Sequence, residues 1–203
     1  MAGPTDGEPS GAYPGPPYGA IERGRQVTGG ATHLFEALDK SPDMLRSYER
    51  FGARLLRHGQ LDAALREMVI LRVAWLARCD YEWFHHVRIA EEVGLDATQV
   101  DWARSGSTDP NLDVATAAAM RAAEQLFADG RIETPLWDQL TSRHGAGGAI
   151  ELAMLVGNYQ MLAGLIRSLD LEIEPAAESA AGYAPLPTAE RRLGDGRMHG
   201  HRR

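Results

Sequence analysis

The sequence predicts an all-α domain of about seven helices, and three observations carry that prediction. Helix-start residues and helix-stop glycines alternate along the middle of the chain. Two of the segments they bound are apolar nearly all round, as buried helices are. Period-2 alternation and Asn-Gly hairpin signals are missing.

Each element follows from local chemistry. Ser41-Pro42-Asp43 supplies an N-cap, a proline at the first helical position and a first-turn acid, opening a helix to about His58. Asp62 opens a second helix through about Arg78, and a third runs from about Asp80 to Val93, stopped by Gly94. Asp96-x-x-Gln99 has the form of a capping box and starts a short helix ending near Gly106. Asp113 to Ala128 is alanine-rich and closes at Gly130. Thr134-Pro135 opens another helix, closed by Gly145, and a final one spans about Ala149 to Leu169.

Composition bounds the rest. The 203 residues are 44% hydrophobic, enough for one globular core. A net charge of −7 and a pI near 5.5 argue against a nucleic-acid partner, which would call for a basic face. One cysteine excludes an intrachain disulfide framework and fits a reducing compartment. No apolar run reads as a membrane span and the N-terminus lacks a signal-peptide pattern, so a soluble cytoplasmic protein is expected.

Three parts result. Residues 1–30 read as a flexible arm, since half of the first twenty residues are Gly or Pro. Its Tyr13 and Tyr18 are either solvated or dock on a neighbouring subunit. Residues 31–174 form the helical domain. Residues 175–203 read as a flexible basic tail, with five arginines and two histidines from Pro185 onward; His199 and His201 make a poor metal site on a mobile segment.

The candidate site lies in Glu67-Met-Val-Ile-Leu-Arg-Val-Ala-Trp-Leu-Ala-Arg-Cys79-Asp-Tyr-Glu82-Trp-Phe-His85-His86. A carboxylate inside a nearly unbroken apolar run is costly unless it is paired or used. Burial would raise the Glu67 carboxyl toward a range useful for proton transfer; the competing reading is an ion pair with Arg66, Arg72 or another arginine. On one continuous helix Glu67 and Cys79 would lie about 18 Å apart. A turn at Arg78-Cys79-Asp80, with Asp80 as N-cap, would let them approach and leave Cys79 at a helix N-terminus, where the dipole favours a thiolate.

Cys79, Glu82 and His86 are spaced i, i+3, i+7 and share one helix face, while His85 points about 100° away. Singly, each has a bland reading: a small buried hydrophobe for Cys79, a solvated helix face for Glu82, a carbonyl-bonded core histidine for His86. Trp75, Tyr81 and Trp83 would wall off water. Glu82 with His85 or His86 offers metal-ligand types, but strong metal spacings are absent. In the last helix Gly157 and Gly164 permit close packing, Tyr159 offers a phenol to a pocket, and Met154 and Met161 read as packing residues. Glu151 opens that helix and complements its dipole.

Arg66-Glu67-Met-Val-Ile-Leu-Arg72, Tyr81-Glu82-Trp83-x-x-His86 and Asn158-Tyr159-x-Met161 together resemble the carboxymuconolactone decarboxylase and alkylhydroperoxidase D-like superfamily, over roughly Ala31 to Glu174. The resemblance implies an all-helical fold oligomerising through its buried central helices, as trimers or hexamers with a dimer as the alternative, and pockets often completed by a neighbour. In the peroxidase branch of that superfamily, Glu67, Cys79 and His86 match the glutamate, first cysteine and histidine. Glu82 stands where the second cysteine belongs, and a dithiol cycle needs both thiols. In the lactone decarboxylase branch His86 again matches, but Tyr159 is followed by Gln-Met-Leu rather than the usual C-terminal pattern. The chain looks like a third, mixed group with Tyr-Glu-Trp in its motif.

The expected function is cofactor-free acid–base chemistry, of decarboxylase, lyase or isomerase type, on a small carboxylated or carbonyl-conjugated substrate. Such a reaction would sit in aromatic catabolism or secondary-metabolite biosynthesis. Glu67 and His86 would form the acid–base pair. Glu82 would orient His86 or share a proton with Glu67, and Cys79 would tune the pocket or assist. Tyr81, Trp83 and Tyr159 would contact substrate. No metal or cofactor is expected, and the partners are a small molecule and further copies of the chain, without nucleic acid or membrane. Two alternatives stand beside it: a single-cysteine thiol peroxidase or redox protein using Cys79, and a non-catalytic oligomer that binds a ligand.

Overall fold

The computed structural model describes residues 33–174, and the two arms lie outside that range with Tyr13, Tyr18, His199 and His201. Among the described residues the fold is all-α: α1 (His33–Asp39), α2 (Pro42–Arg57), α3 (Ala63–Ala77), α4 (Asp80–Glu92), α5 (Ala97–Ser105), α6 (Val114–Asp129) and α7 (Thr134–Leu169). The start signals work largely as expected. Asp62 accepts from the amides of Ala64 and Leu65 at 2.9 and 3.2 Å. Asp96 and Gln99 close a complete capping box, and Asp113 accepts from Ala115 and Thr116. Ser41 takes the N-cap position without a side-chain bond, leaving Pro42 to set the entry to α2.

Three expectations change. The short α1 was not anticipated, because it buries no residue of its own. Tertiary bonds hold it: the His33 amide donates to Glu174 at 2.7 Å and the Leu34 amide to the Tyr81 hydroxyl at 3.2 Å. The cap of α4 is Cys79 rather than Asp80, because Arg78 turns left-handed (φ 52°, ψ 47°) and Cys79 is extended. The two helices expected on either side of Gly145 run as one kinked α7, with Gly145 at φ 71° interrupting the helical geometry. By length and composition α7 therefore qualifies as a membrane span, contrary to the reading of the sequence alone. Half of its most apolar stretch is buried inside the protein.

Helix α3 is the axis of the domain. Met68, Val69, Ile70, Leu71, Val73 and Ala74 are all at most 3% exposed, and α4, α5, α6 and α7 pack around it. Most of this burial is met within the chain, while Leu65, Trp75 and Leu76 of the same helix stay half-buried. The contrary holds for α7. Met154 and Met161, expected to pack inside, are 49% and 58% exposed.

Two carboxylates, Glu151 buried and Glu124 half-buried, fix the loops. Glu151, expected only to complement a dipole, instead accepts from the amides of Gln60 and Leu61 at the mouth of α3. Glu124 binds Arg72 at 2.9 Å and the Ser107 amide at 2.9 Å, while Arg72 donates to the carbonyls of Ala103 and Arg104 at the end of α5. Gly106 sits against this knot at φ 88°, where a Cβ would fall 2.5 Å from the Arg72 guanidinium and 2.7 Å from Glu124. Gly106→Ala is therefore expected to destabilise the fold by about 2–4 kcal/mol, from backbone strain and crowding together, read as a lower denaturant midpoint at unchanged slope.

Candidate active site

Helix α3 supplies Glu67, and the turn at Arg78-Cys79 reverses the chain so that α4 lays His86 against it. Glu67 is fully buried, and its Oε2 lies 2.7 Å from His86 Nδ1. Its other oxygen, Oε1, accepts from Arg66 Nε at 3.1 Å. The arginine pairing weighed from the sequence and the histidine pairing are thus both present, one on each oxygen. Breaking a buried pair of this kind by removing one partner costs about 3–5 kcal/mol.

His86 is 8% exposed, and the Tyr159 ring from α7 meets it edge-on at 4.9 Å. Burial, then the negative charge of Glu67, holds the Tyr159 phenol well above its usual range, so it remains an O–H donor. With Nδ1 committed to Glu67, Nε2 is the ring nitrogen of His86 left for a substrate. That division of labour, a carboxylate fixing one nitrogen while the other reacts, recurs in general-base histidines.

Cys79 and Glu82 extend the same face of α4 inward, at 1% and 3% exposure. Neither carboxylate oxygen of Glu82 has a hydrogen-bond partner, so Glu82 does not orient His86 as expected. Burial pushes its carboxyl up to about 8; the neighbouring thiol works weakly the other way without forming a regular hydrogen bond. Glu82 is a neutral acid at pH 7. Cys79 occupies the helix N-terminus as predicted, but its thiol is not lowered. Burial first, and then the charge of Glu82, push it up to about 12. Desolvation outweighs the helix dipole here.

Two neighbours complete the cluster. Asn158, 5% exposed beside Tyr159, leaves its Oδ1 without a partner. Tyr48 of α2 reaches Asn158 and senses the Glu82 charge; burial is the main cause raising its phenol. Tyr48 was missed because nothing distinguishes it from other residues of an amphipathic helix, and Asn158 entered only through the family resemblance.

The other sequence candidates sit elsewhere. Tyr81 donates to Glu174 Oε1 at 2.6 Å and stacks on His85 at 4.5 Å, tying α4 to the segment after α7. Trp83 packs on Trp75 at 5.6 Å, with Arg104 over its ring at 5.0 Å. Neither aromatic is hydrogen-bonded to Glu67 or ring-paired with His86, whereas the Tyr159 ring meets His86. Among the described residues no three His, Cys, Asp or Glu side chains gather as a metal-ligand set.

The comparisons with known proteins bear on this arrangement. The profile of the carboxymuconolactone decarboxylase family matches residues 42–125, which hold Glu67, Cys79, Glu82 and His86. No curated protein matches the chain significantly. Among solved structures, the debrominase Bmp8, in a cysteine-to-alanine variant in complex with 2,3,4-tribromopyrrole, is 18% identical with a TM-score of 0.64, covering 80% of this chain and 87% of its own. The apo form of that debrominase is 19% identical with a TM-score of 0.64, covering 79% and 87%. An uncharacterized peroxidase-related protein from Silicibacter sp. TM1040 is 17% identical with a TM-score of 0.65, covering 77% and 84%. At these identities the likeness concerns the fold.

The buried Glu82 makes stability depend on pH in an uncommon direction. An unfolded glutamate titrates near 4.5, the folded one near 8, so the unfolded chain binds fewer protons across that window and stability falls as pH rises through it. Glu82→Gln should match the wild type near pH 4.5 and exceed it at pH 8 by a few kcal/mol, on the order set by the shift. Urea denaturation at several pH values measures this; parallel pH curves for the two proteins would refute the buried-acid assignment.

Proposed function

We propose that the chain, whose residues 42–125 match the carboxymuconolactone decarboxylase family, is an enzyme moving protons without a cofactor on a small carboxylated or carbonyl-conjugated substrate. The observation that carries this reading is the 2.7 Å contact between the fully buried Glu67 and His86 Nδ1. It leaves Nε2 of His86 as a base or, once protonated, an acid. In a decarboxylation the C–C bond to the carboxylate breaks, CO₂ leaves, and the electron pair stays on the conjugated carbonyl as an enolate. His86 then delivers a proton to carbon and regains one from water. In an isomerisation His86 removes the proton first and returns it at another carbon.

The enolate oxygen needs donors that are already in place. The Tyr159 hydroxyl and the neutral Glu82 carboxyl supply them, both held protonated by burial. Arg66 balances the Glu67 charge, and Tyr48 and Asn158 line the remaining side. Glu67 is then a positioning residue for His86, and Cys79 shapes the pocket beside Glu82.

A second reading uses the thiol. Cys79 stands at a helix N-terminus next to an acid, and a similar debrominase was solved with a cysteine replaced by alanine. The raised thiol works against it, because only the thiolate attacks an oxidant. Alkylation separates the two readings: iodoacetamide at pH 8 should leave native Cys79 largely unmodified and react readily once the chain is unfolded.

For the preferred reading, turnover is sought by following ultraviolet absorbance across a panel of conjugated keto acids and lactones. On any compound consumed, His86→Ala and Glu67→Gln should each lower kcat by about 10²–10⁴-fold with far-ultraviolet circular dichroism unchanged. Undiminished kcat in both variants would remove the dyad from the mechanism.

A further inference from the structure

Three buried oxygens of the candidate site lack a donor. Both carboxyl oxygens of Glu82 and Oδ1 of Asn158 have no hydrogen-bond partner among the described residues, although the two residues are only 3% and 5% exposed. Buried acceptors are costly to leave unpaired, and a native fold keeps them for a reason. The neighbouring groups do not relieve them. Burial raises the Tyr48 phenol and the Asn158 side chain works against that rise, as an amide N–H donating to the phenol oxygen does. Asn158 Nδ2 is then committed, and Oδ1 is the atom left over. Cys79 lies beside Glu82 without a regular hydrogen bond to it. Tyr48 and Tyr159 both sense the Glu82 charge, which gathers Glu82, Tyr48, Asn158 and Tyr159 in one cluster.

We propose that the substrate of this site carries a hydroxyl group next to its conjugated carbonyl, donating to Asn158 Oδ1 while Glu82 spans hydroxyl and carbonyl. A neutral carboxyl presents a donor and an acceptor side by side, and its complement is a carbonyl and a hydroxyl side by side. The Glu82 O–H serves the carbonyl oxygen and its second oxygen faces the hydroxyl. This substrate class rests on the proton-transfer function proposed above and narrows it, from conjugated acids and lactones in general to hydroxy-carbonyl compounds.

Other groups fit these oxygens less well. A substrate carboxylate would offer Asn158 Oδ1 only another acceptor. An ammonium would call for an ionised Glu82, where burial favours the neutral acid. The charge of Glu67 is already met by Arg66 and His86. A hydrogen atom in place of the hydroxyl would leave the acceptors dry, which is how a polar site rejects an analogue lacking its donor.

Isothermal titration of the full chain with matched probes tests the proposal. Maltol and methyl cyclopentenolone each carry a hydroxyl beside a conjugated carbonyl; each is compared with its deoxy, methyl-ether and aminomethyl analogues. The hydroxyl probes should bind about 10–100-fold more tightly than the deoxy and methyl-ether compounds. Asn158→Leu should bring the hydroxyl and deoxy affinities together, whereas His86→Ala should keep the preference, because His86 moves protons and does not hold the hydroxyl. The methyl-ether comparison needs no variant and stands even where Asn158→Leu fails to fold. Equal affinity across a probe set, no binding of either hydroxyl probe at millimolar concentration, a preference that survives Asn158→Leu, or tightest binding of an aminomethyl analogue would overturn it. Binding is read without turnover, so the two proposals fail separately. A dyad indifferent to substitution removes the proton-transfer reading and leaves the preference standing, while an active dyad without the preference removes this one alone.

Discussion

A carboxylate with no contact to solvent, placed mid-helix in the most apolar segment of the chain, constrains everything around it. Glu67 can be tolerated there only with partners for both oxygens. Arg66 satisfies one from the same helix. The other demands a donor from outside, and the tight reversal at Arg78-Cys79 brings His86 back to provide it. The left-handed residue at the end of α3, the extended cysteine that caps α4, and the apolar collar of α5 to α7 all serve to hold that geometry. A helix hairpin with any other turn would present a different face of α4 to Glu67.

Around this pair the fold sorts its ionisable groups by environment. Glu67 has a partner on each oxygen, whereas Glu82, on the α4 face it shares with Cys79, has none. Two buried carboxylates thus meet opposite surroundings, Glu67 bonded on both oxygens and Glu82 unpartnered with its carboxyl pushed up to about 8. Pushing two acids apart in this way is how a single site acquires both a base and an acid. Cys79 is buried beside Glu82 and its thiol is raised with it. The same desolvation that makes Glu82 a useful donor makes Cys79 a poor nucleophile.

Much of this was legible in the chain, for identifiable reasons. Helix boundaries were readable because Asp62, Asp96 and Asp113 cap by bonding backbone amides two or three residues away, a strictly local act. The shared face of Cys79, Glu82 and His86 followed from helical spacing alone. What spacing cannot give is which group from another helix arrives. The partner of His86 proved to be Glu67 rather than Glu82, and Tyr81 turned to Glu174, a residue distant in sequence. Tyr48 lies in an amphipathic helix whose pattern explains it fully without a site. Helix α1 has no signal of its own because long-range bonds to Tyr81 and Glu174 hold it. The methionines of α7 misled for a different reason: an apolar residue spaced for packing does not say whether the packing partner is in the same chain.

The central claim, that Glu67 fixes His86 so that its Nε2 reacts, is tested most directly by the tautomer of that ring. Nitrogen-15 correlation spectra of histidine-labelled protein at pH 8, assigned with His86→Ala, distinguish a protonated Nδ1 from a protonated Nε2. The account predicts Nδ1–H with a strongly deshielded proton in the wild type, and loss of that signal in Glu67→Gln. An Nε2–H tautomer in the wild type, or an Nδ1–H signal indifferent to Glu67→Gln, would contradict it.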